Sequence, residues 1–194
     1  MSEPETKEKL LEAAVDLFAA RGFSGTSIRD IANAMGMSIF NIYHYFGSKD
    51  GLLMEIFKNS SGRLLGTLRD VAQRDMPPLE KFELLVRTHL KFVGDYRNEA
   101  KIYTLDEEQI SKASHQISQD IQREILNLYV TLLKDLDEKG FLRTQRITVL
   151  AFNILAVMNW MLRWYREDGQ LSLDEVCEEI LSFVLHGALR SPAA

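Results

Sequence analysis

The chain has 194 residues, 46% of them hydrophobic, and a formal net charge of −5, with 23 Lys and Arg against 28 Asp and Glu. That much apolar material suits two small cores, and the acidic balance excludes a protein that holds nucleic acid by bulk charge. A single cysteine, Cys177, excludes an internal disulfide and a cysteine zinc cluster. The first helix carries Leu10, Leu11, Ala14, Val15 and Phe18 as one stripe and stops at Arg21-Gly22, a basic last turn followed by a glycine cap.

Residues Thr26 to Lys49, TSIRDIANAMGMSIFNIYHYFGSK, spell two short helices joined by a glycine-centred turn. Thr26 is the expected N-cap, with Asp30 in the first turn where the helix dipole favours a carboxylate. Ile28, Ile31 and Ala32 form an apolar stripe, and Gly36 sits where the turn requires positive φ. Ser38 is expected to cap the second helix, whose Ile42, Tyr45 and Phe46 turn inward. Small Ala32 lets the two helices cross closely, as a DNA-reading helix-turn-helix requires.

The run Thr26, Ile31-Ala32, Gly36, Ser38, Tyr43, Phe46 and Ser48-Lys49, with the helix before it, resembles the N-terminal signature of the tetracycline-repressor (TetR) family of bacterial transcription regulators. The detailed resemblance covers roughly the first fifty residues. Expected DNA contacts are Thr26, Ser27, Arg29, Ser38, Ile39, Phe40, Asn41, Tyr43, His44 and Lys49. Tyr43, His44 and Lys49 suit phosphate oxygens, with Ser27 and Arg29 as weaker candidates, and Asn41 suits a base edge. Residues 1–50 hold five Lys and Arg against seven Asp and Glu. Binding must therefore use a local basic edge, Arg29, His44 and Lys49 with Arg21, and close fit to a site. Ile39 and Phe40 depart from the family pattern, which has a polar or basic residue and a glycine there. Either one packs against a thymine methyl in the major groove, or Phe40 folds back on the neighbouring helix.

Downstream, every long segment has helical period. A helix from Lys49 to Asp75 ends before Pro77-Pro78. Others are expected over about Leu79 to Asp95, Ala100 to Gln109, Ser114 to Lys139 (capped by Gly140) and Arg146 to Arg166, with a last one opened by a Ser172–Glu175 capping box and ending near Leu189. The fold is all-α: three helices in a DNA-binding domain, residues 1–48, and six in a C-terminal bundle, residues 49–194.

The last two helices are the expected homodimer surface, through Leu150, Ile154, Val157, Met161, Val176, Ile180, Phe183, Val184 and Gly187, unless all of these face their own bundle. Two readers one DNA turn apart, about 34–36 Å, read a palindromic operator. The TetR resemblance implies a cavity in the C-terminal bundle for a small hydrophobic effector that shifts the two readers, with the Lys49–Asp75 helix as lever. Candidate lining residues are His89, Phe92, Tyr96, Tyr103, Asn159, Trp160, Arg163 and Trp164. The cluster Asn159-Trp160 and Arg163-Trp164-Tyr165-Arg166 is similar to the C-terminal part of TetR-like sensors of fatty acyl-CoA: an apolar tunnel for the chain, Arg for phosphate, Trp for adenine.

The alternative is a DNA binder of this fold that answers to a protein partner or acts architecturally. His44, His89, His115 and His186 lack metal-ligand spacing, and no nucleophile, acid–base or phosphate-loop motif occurs, so neither metal, cofactor nor enzymatic activity is expected. The polar, acidic N-terminus and the lack of an 18-residue apolar run predict a cytoplasmic protein without a membrane partner.

Overall fold

The computed structural model describes residues 3–106, 112–166 and 168–190. Among the described residues it contains nine helices: α1 (Glu3–Arg21), α2 (Ile28–Met35), α3 (Ile39–Phe46), α4 (Lys49–Ala72), α5 (Pro78–Asp95), α6 (Arg97–Asp106), α7 (Lys112–Glu138), α8 (Ile147–Trp164) and α9 (Leu173–Ala188). No strand occurs among them; one isolated bridge joins Leu142 and Leu189. The chain divides into two compact units, residues 1–62 with 96–120 and residues 63–95 with 121–194.

The first unit holds α1 to α3, the beginning of α4, and α6. Its core is the α1 stripe Leu10, Ala14, Val15 and Phe18, closed by Ile31 and Ala32 of α2, Ile42 of α3, and Leu52, Leu53, Ile56 and Phe57 of α4. Ile102 of α6 is buried in the same core, and α6 packs along α1. Because each helix is short, its stability comes from burying this one face rather than from propensity.

In the second unit α5 packs on α9 and α8, with α8 also against α9. Phe82, Leu85 and Leu90 of α5, Tyr129, Leu133 and Leu136 of α7, and Ala151 and Met158 of α8 are fully buried. Pro78 occupies the first position of α5, where its missing N–H costs nothing. The expected capping box opens α9: Ser172 Oγ accepts from the Glu175 N–H, and the Glu175 carboxylate accepts from the Ser172 N–H. That bonding holds the exposed Glu175 carboxyl below its usual pKa. The segment between α7 and α8 is tied to the end of α9, with the Arg143 N–H donating to the Ala188 carbonyl at 3.0 Å and the Arg190 N–H to the Phe141 carbonyl at 2.8 Å.

Two expectations need correction here. α4 ends at Ala72, short of Asp75; the Arg74 N–H turns onto the Val71 carbonyl, a tight turn three residues before the prolines. And α8 is, by length and composition, apolar enough to cross a membrane, contrary to the reading that no such run exists. One face of it, Leu150, Ala151, Ile154, Met158 and Met161, lies in the core of this bundle.

Candidate nucleic-acid interface

The turn between α2 and α3 is built on Gly36, at φ +61° in the left-handed region; its N–H and that of Met37 return to the carbonyls of Asn33 and Ala32. The cap of α2 is Ser27, not Thr26. Ser27 Oγ accepts from the Asp30 N–H at 3.2 Å, while the Asp30 carboxylate accepts from the Ser27 N–H at 2.8 Å. These bonds to Ser27 keep the Asp30 carboxyl below its usual range.

Thr26 is 1% exposed. Its hydroxyl lies 3.0 Å from the Gly22 carbonyl and 3.2 Å from that of Leu17, fastening the end of α1 to the start of α2. Burial removes Thr26 from any DNA contact. The β-branched hydroxyl that reads as a cap in sequence is a tether in three dimensions.

Lys49 is the second correction. Its ammonium donates to the Phe23 carbonyl and stands 4.1 Å from the centroid of the Phe23 ring. The charge expected at a phosphate is thus directed at the unit's own aromatic core. Ile39 is the third: it is half-buried and packs against the core, so it is not an exposed reading residue.

On the outer face of α3, Phe40 is 74% exposed and Tyr43 49%. His44 is also exposed, and Asn41 is half-buried. The Phe40 ring stacks on His44 one turn along, with centroids 6.3 Å apart and planes 29° from parallel. It does not fold back on the neighbouring helix. Ser38 holds the N-cap position, but its hydroxyl makes no capping bond and is exposed. Ser27 and Arg29 are exposed at the start of α2. The outer side of α3 thus carries Ser38, Phe40, Asn41, Tyr43 and His44, held from behind by buried Ile42.

The expected ligand-lining residues do not form one set: Tyr96 and Tyr103 belong to the first unit and the others to the second. His89 is buried, its Nδ1 2.8 Å from the Tyr129 hydroxyl, which lies 3.9 Å from Met158 Sδ. Nδ1–H donating to Tyr129, and Tyr129 to the sulfur, uses each donor once. Burial pushes the His89 pKa down to about 4 and raises that of Tyr129. Phe92 and Tyr96 are half-buried. The side chain of Tyr103 lies outside the described residues. Asn159, Trp160, Arg163 and Trp164 are exposed on the outer face of α8, with Trp160 60% exposed and Arg163 5.4 Å over its ring. Indoles on an outer face do not line an internal cavity, which corrects that expectation. Arg166 binds the Asp168 carboxylate through two nitrogens at 2.8 and 2.9 Å.

The dimer residues also divide. Leu150, Ile154, Met161, Val176, Ile180 and Val184 are buried in their own bundle's core, with Val176 and Ile180 also at the floor of a groove that opens outward. Val157 is half-buried, Gly187 exposed and Phe183 65% exposed. The open face instead runs through Val149, Phe152, Trp160 and Trp164 of α8 to Phe183 of α9. Val157, Trp164, Leu171 and Phe183 border a shallow apolar groove of about 220 Å³ within it. Val149, Phe152, Trp160 and Trp164 recur at helical spacing one face away from the core stripe; that repeat was the available signal.

Residues 10–56 match the model for bacterial regulatory proteins of the tetR family, and residues 75–188 match that for the tetracyclin repressor-like C-terminal domain. The chain is 31% identical over 189 residues to the HTH-type transcriptional repressor KstR2 of Rhodococcus jostii, covering 96% of this chain and 92% of that protein. Among solved structures, it is similar to the ketosteroid transcriptional regulator KstR2 of Mycobacterium tuberculosis, with 26% identity, a TM-score of 0.85 and 95% of each chain covered. It is similar also to the TetR family regulator PfmR of Thermus thermophilus, with 25% identity, a TM-score of 0.86, and 94% and 100% covered. With an outward-facing reading helix and matches along both parts of its length, this chain belongs to the tetR family of bacterial regulatory proteins and is a DNA-binding transcriptional regulator.

Proposed function

We propose that the protein is a cytoplasmic repressor, without catalytic activity, that holds a palindromic operator as a homodimer and releases it when a small hydrophobic effector binds its C-terminal part. The observation that carries the reading is the α3 surface: Phe40, Tyr43 and His44 project from a helix whose inner face is fully committed to the core. A chain of net charge −5 gains little from long-range attraction to DNA, so a pair of readers supplies the contacts that one lacks. Arg29, Ser38, Asn41, Tyr43 and His44 are the proposed polar contacts. The exposed face of α8 and α9, with Phe152, Val157, Trp160, Trp164, Phe183 and Gly187, is the proposed dimer surface.

Two relatives carry names from lipid chemistry: the KstR2 structure is that of a ketosteroid regulator, and a Bacillus subtilis relative, 21% identical over 181 residues, is a fatty acid metabolism regulator protein. A lipid-derived effector such as a fatty acyl-CoA agrees with both. The test uses a fluorescent duplex selected by the protein from a random 30-base-pair library, followed by anisotropy. Palmitoyl-CoA should release the DNA at concentrations where CoA alone does not. Tight operator binding that is indifferent to acyl-CoAs and to ketosteroids would overturn the effector part and favour a reader under other control.

A further inference from the structure

We propose that Phe40 is a specificity-determining residue whose ring covers the methyl group of one thymine in each operator half-site. The inference rests on the reading of α3 as the DNA-facing helix. That helix, IFNIYHYF, has no Lys, Arg or Gln, so it lacks the side chains that grip guanine O6 and N7 or, apart from half-buried Asn41, the adenine edge in pairs of hydrogen bonds. Its most exposed large side chain, Phe40 at 74%, ends in a hydrocarbon ring, whereas Tyr43 at 49% carries a hydroxyl. The four other large apolar side chains nearby, Ile39, Ile42, Tyr45 and Phe46, all turn into the core, whereas Phe40 does not. The stack against His44 lays the ring along the helix surface rather than back toward α2.

In the major groove the thymine C5-methyl is the apolar feature such a ring can cover; the other edges present donors and acceptors that a phenyl group would leave unpaired. Phe40 thus selects for thymine and against cytosine, which offers an amino group at that edge. Because the ring takes no part in the core, its removal leaves the fold intact, and the test is clean.

The experiment replaces each thymine of the selected duplex by deoxyuridine, symmetrically in both half-sites, which deletes the methyl and nothing else. For the unaltered protein, one position should weaken binding by about fourfold per half-site, hence about fifteenfold for both, the factor expected for one buried methyl-sized group at each. Phe40→Ala should bind the thymine duplex more weakly and show no further loss with deoxyuridine at that position, with an unchanged circular dichroism spectrum. If no position responds to loss of the methyl, or if Phe40→Ala keeps the full response, the inference is overturned while operator binding stands. If the unaltered protein selects no duplex at all, the operator reading itself fails and this inference with it.

Discussion

Replacement of His89 by Asn should flatten the acid dependence of stability. His89 is buried beside Tyr129, and burial lowers its pKa from 6.5 to about 4. In the unfolded chain the imidazole takes up a proton near 6.5; in the folded chain it resists until about pH 4. Between those values the unfolded state binds more protons, so stability is fully present above about pH 6.5, falls as the pH drops, and levels off below about pH 4. The shift corresponds to about 2 kcal/mol lost at pH 5 and about 3 kcal/mol once the folded-state group also titrates. Asn places a polar atom near the position of Nδ1, so the Tyr129 contact can survive while the titration disappears. Urea unfolding followed by the fluorescence of Trp160 and Trp164, which lie in the same unit as His89, measures the difference at matched protein concentration. The unaltered protein should lose about 2 kcal/mol more than His89→Asn between pH 8 and pH 5. Parallel profiles for the two proteins would refute the claim that His89 is held neutral by burial.

Other substitutions separate the roles assigned to the reader and the bundle. Thr26→Val removes a buried hydroxyl bonded to two carbonyls and should cost about 1–2 kcal/mol of stability by thermal or urea unfolding. Ser38→Ala, whose hydroxyl makes no capping bond, should leave stability within about 0.5 kcal/mol while weakening operator binding in an anisotropy titration. Gly36→Ala meets no neighbouring atom but forces a Cβ into the left-handed region, so it should cost about 1–2 kcal/mol through the backbone alone, read as a lowered Tm. Phe183→Glu places a charge in the exposed apolar face and should leave the protein sedimenting as the 22.2 kDa chain, with weaker DNA binding.

Element type and order were largely legible because the signals are local. The α1 stripe, the left-handed Gly36 and the Ser172–Glu175 box each follow from a few adjacent residues. Direction was harder to read. Thr26 and Ser27 are both competent caps, and only the carbonyls of Leu17 in α1 and of Gly22 just past its end draw Thr26 inward. Lys49 likewise finds Phe23, far away in sequence, and gives up the role that its charge suggested. On α8 and α9 a helix that is apolar on nearly every side offers no contrast from which to choose the core face, so six side chains expected at a partner are in the bundle's own core. The pairing of His89 in α5 with Tyr129 in α7 joins residues 40 positions apart, and no local pattern announces it. Phe40 was legible as an anomaly, but its outward direction required Ile39 and Ile42 to be seen filling the core.

In the proposed complex two copies of this chain read one two-fold DNA site. Sedimentation equilibrium of the protein with its selected duplex tests it most directly, because the mass of the complex counts the chains. A palindromic selected sequence and two 22.2 kDa chains on each duplex are expected. A single chain bound per duplex, or a selection that yields no preferred sequence, would contradict it.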